Sequence, residues 1–278
     1  MKIYTVFISS LLLAKAFANQ PCCFSDNGIF PPRCERLAED QELFQNFKRD
    51  PLLSLFVENA TEEEGRACLA KLPPDLIEKC RINDRLGNPR VVSYQKSGKF
   101  SPTTLRYAKI ASDLEREFGS LNGFRVVEIG GGYGGLCTVL SSIFSFKNYT
   151  LVDLPQNLLL CERYLREQKI EHVSFVNLPD LPEGEEDLVI SHFVFSESDR
   201  SLQKRYLDKV LSRAKAGFLI CAPAHWKEIP YSNREHKRVK PFPHEKILHD
   251  LAQRGIEARV IPEEPLTGKD HCVIIWKR

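Results

Sequence analysis

The chain lacks several features that would place it in a specialised class. Its 39 basic and 37 acidic residues leave a net charge of +2, whereas a nucleic-acid binder usually carries a strongly basic face. None of its nine cysteines stands at C-x-x-C spacing, which argues against a zinc ribbon. Internal repeats and low-complexity tracts are absent too. What remains is an ordinary globular composition, 42% hydrophobic and 27% charged.

A long hydrophobic run is also missing. The apolar segment Ile3 to Ala14 has 12 residues, fewer than the roughly 20 that span a bilayer as a helix. Lys2 precedes this segment, and Ala16-Phe17-Ala18 follows it as a small-x-small cleavage site. This order is typical of an export signal. We therefore expect a signal-like leader over residues 1–18 and no stable membrane span.

The segment 126–140, VVEIGGGYGGLCTVL, is the most informative part of the sequence. It combines an apolar strand, a carboxylate at Glu128 and a glycine loop that opens a helix. Glycines let the backbone turn tightly and approach a ligand, while the helix directs its free N–H groups at that ligand. Asp153 ends a second apolar strand 19 residues after Gly134, where a carboxylate reaches a ribose diol. This combination predicts a nucleoside cofactor.

Two cofactor classes fit these glycines. Positions 130, 132 and 135 match the dinucleotide pattern G-x-G-x-x-G, and the segment from Glu128 matches E-x-G-x-G-x-G, which suits S-adenosylmethionine. A carboxylate just before the first glycine favours a sulfonium and an ammonium and would repel a pyrophosphate. S-adenosylmethionine is therefore the preferred cofactor, and an NAD(P)-dependent oxidoreductase is the alternative. Tyr133, inside the loop, can contact cofactor or acceptor, or simply cover the loop.

Strand and helix patterns alternate from residue 125 onward, which predicts a parallel sheet with helices on both faces. The last two predicted strands, 256–261 and 271–276, have no helix between them and should form a hairpin. The expected fold is thus a Rossmann-like sheet of seven mostly parallel strands with one antiparallel strand. Helical patterns over 34–83 predict an N-terminal helical cap, and 86–100 a surface loop or lid. The predicted divisions are residues 19–100 for cap and lid, and 101–278 for the cofactor-binding domain.

Six phrases in this order resemble the sugar O-methyltransferase family. They are SPTTLRY (101–107), VEIGGGYGG (127–135), LVDLPQNLLLCERYL (151–165), DLVISHFVFSES (187–198), QKRYLDKVL (203–211) and PEEPLTGKDHCVIIW (262–276). The resemblance covers about residues 85–276 and implies a class I methyltransferase fold and methyl transfer from S-adenosylmethionine to a sugar hydroxyl. The cofactor residues that it implies are Glu128, Gly130, Gly132, Gly134, Asp153 and Leu154, and Gly131 and Tyr133 are further candidates in the same loop.

A sugar hydroxyl is a very weak acid, so its methylation benefits from a general base. His192 follows the fourth strand, at the sheet edge where ligands bind in open α/β folds, and is the candidate base. Glu197 can orient His192, bind sugar hydroxyls or serve as a first-turn helix acid. His225 and Trp226 follow the fifth strand, where the aromatic can stack on a sugar or pack in the core. Arg234 can grip an anionic acceptor group or lie in a solvated loop, and no metal site is predicted.

The expected acceptor is a small molecule or a glycan. The signal-like leader indicates export, whereas S-adenosylmethionine is made and kept in the cytosol. Export, an uncleaved anchor and a misassigned start all remain open interpretations of the leader. A non-catalytic exported binding protein on the same fold is a further alternative.

Overall fold

The computed structural model describes residues 22–95, 97–177, 180, 184–222, 227–228, 238–239 and 241–278. Its helices are α1 (Phe30–Glu39), α2 (Gln41–Gln45), α3 (Pro51–Phe56), α4 (Glu62–Leu69), α5 (Pro74–Cys80), α6 (Pro102–Phe118), α7 (Gly135–Ser141), α8 (Pro155–Glu167), α9 (Val194–Glu197), α10 (Arg200–Lys209) and α11 (His244–Ala252). Its strands are β1 (Val92–Tyr94), β2 (Gly98–Phe100), β3 (Arg125–Ile129), β4 (Asn148–Asp153), β5 (Val173–Asn177), β6 (Glu186–His192), β7 (Ala214–Cys221), β8 (Lys227–Glu228), β9 (Arg238–Val239), β10 (Arg259–Pro262) and β11 (Cys272–Lys277).

Seven strands form the main sheet in the order β10-β11-β7-β6-β3-β4-β5. Neighbours from β7 to β5 pair in parallel, while β11 runs antiparallel to both β7 and β10. Six strands therefore point one way and β11 points the other. This confirms the predicted mostly parallel sheet with one antiparallel strand, contributed by the C-terminal hairpin.

The alternation of side chains along β3 explains why the sheet carries a core on each face. Val126 packs into one hydrophobic cluster together with α6, α7 and α8, whereas Val127 and Ile129 pack into a second cluster with α10 and α11. Successive side chains of a strand point to opposite faces. Glu128 therefore points to the same face as Val126, below the helices that follow the glycine loop.

Helices α1 to α5, the helical cap, pack into the first of these two clusters. Aspartates begin α2 and α3, because the carboxylates of Asp40 and Asp50 accept hydrogen bonds from backbone N–H groups of the first turn. Thr61 caps α4 in the same way. The cap thus shares one continuous core with the glycine-loop side of the sheet. The predicted leader, residues 1–18, lies outside the described residues.

The segment predicted as a loop or lid, 86–100, instead contains the antiparallel hairpin β1–β2. Gly98 adopts a φ of +88°, which favours glycine and allows the tight turn. Arg81, outside the segment, donates hydrogen bonds to the carbonyls of Ser97 and Lys99 and stacks on the Phe100 ring at 4.0 Å. The position of the hairpin therefore depends on contacts with a residue outside the segment 86–100. In the described part of the chain, no helix is both long enough and apolar enough to cross a membrane.

Candidate functional site

A cavity of 150 Å³ lies at the carboxyl ends of β3, β4 and β6. Its lining is polar where the sheet ends, with Glu128, Asp153, Asn157 and His192, and apolar on the side of the cap, with Phe24, Phe30, Leu55, Phe56 and Val57. The glycine loop forms the boundary between these two sides through Gly130, Gly131 and Gly132. The structure thus brings the predicted loop, both predicted acids and the predicted base to one place.

The glycine loop needs glycine for two reasons. Gly130 and Gly132 have φ angles of +85° and +56°, a region that side chains disfavour. A Cβ on Gly130 would stand 2.2 Å from a methyl carbon of Val194, and one on Gly132 would stand 3.3 Å from a methyl of Val57. The loop backbone is therefore exposed to the cavity at close range, without side chains that would fill it.

Glu128 is 2% exposed and lies against Tyr149, whose hydroxyl donates a 2.7 Å hydrogen bond to its carboxylate. Burial raises the pKa of Glu128 from an ordinary 4.5 to about 8; the Tyr149 hydrogen bond opposes this shift, and the charge of Asp153 adds to it. In the free protein the carboxyl group is consequently mostly protonated at pH 7. A cation placed beside it would favour the ionised form.

Asp153 ties the end of β4 to the glycine loop. Its carboxylate accepts hydrogen bonds from Leu154 N at 2.7 Å, Asn157 Nδ2 at 2.9 Å and Gly132 N at 3.3 Å. Burial raises the pKa of Asp153 to about 6, against the opposing effect of these hydrogen bonds. The 3.3 Å contact is the longest of the three, so a ligand hydroxyl can replace it most easily.

His192 is the last residue of β6, and its Nε2 atom is buried with no hydrogen-bond partner among the described residues. Its ring lies edge-on to Tyr107, with centroids 6.2 Å apart, and 4.5 Å from the ring of Phe193. Burial lowers the pKa of His192 well below its usual 6.5, and the charges of Arg106 and His271 lower it further. The imidazole is therefore neutral at pH 7 and can accept a proton.

The other predicted site residues are distributed differently. Glu197, on α9, lines the same cavity. Leu154 precedes α8, and Gly134 precedes α7, where an added Cβ would stand 2.9 Å from Leu165 Cγ and 3.0 Å from Cys161 Sγ; neither residue lines the cavity. Tyr133 is fully buried, does not line the cavity, and donates its hydroxyl to Glu58 of the cap. His225, Trp226 and Arg234 lie outside the described residues.

Several polar residues of the cavity were not predicted from the sequence, among them Asn157 and Arg106. Asn157 stands four positions after Asp153, and its Oδ1 is buried without a partner in the described ranges. Arg106 lies within the SPTTLRY phrase and is 8% exposed. It makes a bidentate pair with Glu64 and donates a 2.7 Å hydrogen bond to Asn59. The sequence does carry a signal for Arg106, because it is a charged residue within an apolar stretch of a predicted helix.

The Arg106–Glu64 pair leads to a stability prediction. Glu64→Gln leaves a buried guanidinium without its counter-charge, so we expect a loss of about 3 kcal/mol in the free energy of unfolding, measured by urea denaturation. Glu62 on the same helix pairs with Arg66 where both side chains are exposed, and Glu62→Gln is the matched control, with an expected loss under about 1 kcal/mol. Equal losses in the two variants would contradict the buried pair.

Several solved structures resemble this one. Magnesium protoporphyrin IX methyltransferase from Synechocystis PCC 6803, with bound S-adenosylmethionine, is 17% identical over 62% of this chain and 78% of its own, with a TM-score of 0.48. A SAM-dependent methyltransferase from Aquifex aeolicus is 16% identical over 74% of this chain and 98% of its own, with a TM-score of 0.43. An O-methyltransferase family protein from Burkholderia thailandensis is 13% identical over 63% of this chain and 60% of its own, with a TM-score of 0.44.

The chain matches no family model, and no curated protein matches it. The sugar-specific part of the sequence resemblance therefore finds no support in these comparisons.

Proposed function

We propose that this protein is an S-adenosylmethionine-dependent O-methyltransferase, with a sugar hydroxyl as the acceptor that the sequence phrases imply. One observation carries the choice of cofactor. Glu128 is a buried carboxyl group that lines the cavity beside the glycine loop. A sulfonium and an ammonium beside this group favour its ionised form and are attracted by it, whereas a pyrophosphate offers it no opposite charge. This argues for a cationic nucleoside over a nicotinamide dinucleotide.

The chemistry of the remaining donors and acceptors fits this cofactor. Asp153 stands at the end of β4, where a carboxylate accepts from a ribose diol. Asn157 Oδ1, buried and unpartnered within the described residues, offers a further acceptor. Arg106 lines the cavity and supplies a guanidinium for a carboxylate group. The Arg106 guanidinium is paired with Glu64 and Asn59 and keeps one N–H group on each terminal nitrogen for such a carboxylate.

When bound, S-adenosylmethionine supplies an electrophilic methyl group on a sulfonium. The protein then has to hold the acceptor oxygen in line with that methyl and remove its proton. His192 is neutral, lines the same cavity as Glu128 and Asp153, and has a buried Nε2 without a hydrogen-bond partner among the described residues. We assign His192 as the base that takes the hydroxyl proton. Glu197, on the same cavity wall, is assigned to the acceptor side.

The cavity also has to widen. Its 150 Å³ is below the roughly 300–1,000 Å³ of small-molecule sites. The cap side is lined by Leu55, Phe56 and Val57, and Leu55 is already 45% exposed. Because Leu55 borders solvent while Glu128, Asp153 and Asn157 are buried, we expect the cap side to move outward when the cofactor enters.

Calorimetry with S-adenosylhomocysteine and with NADH tests the choice of cofactor. We expect S-adenosylhomocysteine to bind the unaltered protein, and Asp153→Ala to weaken this binding by at least about tenfold, because a buried carboxylate and its hydrogen bonds are lost. Asp75→Ala, at an exposed first-turn position of α5, should bind as the unaltered protein does. Binding of NADH alone would favour a dehydrogenase.

Transfer of a labelled methyl group from S-adenosylmethionine onto a sugar and glycan library tests the acceptor. Labelled sugar products are the expected result. Labelling of a different acceptor class would keep the methyltransferase and reject the sugar. Binding of the cofactor without any transfer would favour the non-catalytic alternative.

A further inference from the structure

The glycine loop carries a single side chain. Residues 130–135 read GGGYGG, and the tyrosine at 133 is fully buried. Its ring packs edge-on against Phe47 and Tyr164, with centroids 5.2 and 5.0 Å away. Its hydroxyl donates to the carboxylate of Glu58, 75 residues earlier in the chain, and accepts from Asn83 Nδ2 at 3.2 Å. The conformation of the loop is therefore fixed through a contact with the cap.

Lys48, which lies between α2 and α3 of the cap, also contacts Tyr133. It is 2% exposed, and its ammonium lies 4.7 Å from the centroid of the Tyr133 ring and 5.0 Å from that of Tyr164. The ammonium also donates to the backbone carbonyl of Asn83. A cation over aromatic faces and a carbonyl acceptor hold it in place. One buried lysine thus joins the cap, the 81–85 turn and the loop tyrosine.

The charges around Lys48 are compensated. Glu58 bonds to Tyr133 and also accepts from the Ser101 hydroxyl at 3.2 Å. Asp84 accepts from Ser101 N at 2.8 Å and from the Thr104 hydroxyl at 2.6 Å. Burial lowers the pKa of Lys48 to about 8, and the charges of Glu58 and Asp84 oppose that shift. The cluster therefore reaches from the cap to the start of α6.

We infer that Tyr133, Glu58 and Lys48 are positioning residues of the cofactor site, through which the helical cap sets the backbone of the glycine loop. None of the three lines the cavity. A loop of glycines loses much conformational freedom when a ligand orders it, and a restraint already present in the free protein removes part of that cost from binding. The cap is thereby part of the cofactor site and not only a cover over it. This inference rests on the proposed function.

Tyr133→Phe tests the inference because it removes only the hydroxyl that joins loop and cap. A hydrogen bond to a buried carboxylate is lost, so we expect S-adenosylhomocysteine to bind about tenfold more weakly by calorimetry. Amide hydrogen exchange at residues 130–134 should accelerate while exchange in β3 and β4 stays unchanged. Lys48→Met should change both measurements in the same direction.

Tyr94→Phe is the matched control, since the Tyr94 hydroxyl is buried but has no hydrogen-bond partner in the described structure. It should leave both measurements unchanged. If Tyr133→Phe fails to fold, Glu58→Ala takes its place, because it removes the acceptor of the Tyr133 hydroxyl, and both measurements should change in the same direction.

Binding within twofold of the unaltered protein, with unchanged loop exchange, would overturn the inference. Failure of the unaltered protein to bind S-adenosylhomocysteine would instead reject the proposed function. Loop exchange in the variants would then still report whether the cap sets the loop.

Discussion

Replacing Glu128 with glutamine is expected to abolish tight cofactor binding and, at the same time, to stabilise the free protein at alkaline pH. The pKa of Glu128 is about 8 in the folded protein, against an ordinary 4.5. Between these two pH values the folded state holds a proton that the unfolded state has released. The stability due to this group is thus fully present below pH 4.5 and is lost as the pH rises through 8.

Glutamine carries no charge, so the free energy of unfolding of Glu128→Gln does not fall in this way as the pH rises. The rise of the Glu128 pKa from 4.5 to about 8 corresponds to about 4–5 kcal/mol, at about 1.4 kcal/mol per pKa unit, so we expect the variant to exceed the unaltered protein by about that amount in the free energy of unfolding at pH 8.5. Near pH 4 the two should be equal. Urea denaturation at both pH values measures the difference, and an equal stability at pH 8.5 would show that Glu128 is not desolvated.

Cofactor binding should become weaker in Glu128→Gln, although the free protein becomes more stable. The cationic ligand needs the ionised carboxylate, and removal of one partner of a buried charge pair weakens binding by at least about 100-fold. Because Glu128 is mostly protonated at pH 7, binding of the sulfonium cofactor S-adenosylmethionine to the unaltered protein should release a proton. Calorimetry in two buffers of different ionisation enthalpy detects this release. Glu128→Asp, which keeps a carboxylate, should recover part of the affinity.

The positions of Glu128, Asp153 and His192 were predictable because they depend on one property of the sheet. Parallel strands bring their carboxyl ends to one edge, so three residues at strand ends meet there whatever the loops do. The antiparallel direction of β11 was predictable for a similar reason, since two strands without an intervening helix form a hairpin. The exact residues at which the strands end were less predictable. His192 belongs to β6 itself, and the short helix α9 separates it from α10.

The surroundings of the site depend on contacts between distant segments. The direction of the Tyr133 side chain follows from Glu58 and Asn83, which are 75 and 50 residues away in sequence. The hairpin β1–β2 depends on Arg81, and the cavity's apolar wall on the cap's phenylalanines. No periodicity within a window of the sequence encodes such contacts. A buried polar network of this kind becomes visible only when the chain is folded.

His192→Ala is expected to lower the rate of methyl transfer by about 10²- to 10⁴-fold, the usual contribution of a positioned base. Binding of S-adenosylhomocysteine should stay nearly unchanged, because Glu128 and Asp153 still hold the cofactor. The rate is measured with the acceptor identified by the labelled-methyl assay. His249→Ala, at an exposed position of α11, is the control and should retain the full rate.

The pH profile separates a neutral base from an ordinary surface histidine. Burial and the charges of Arg106 and His271 lower the pKa of His192 well below 6.5, so at saturating cofactor the imidazole is already deprotonated at pH 6.5 and the rate should show no step there. A step near pH 6.5 that disappears in His192→Ala would mean that the ring is solvated and the cavity open. Retention of the rate in His192→Ala would show that His192 is not the general base, and Glu197 would then be the group to test next.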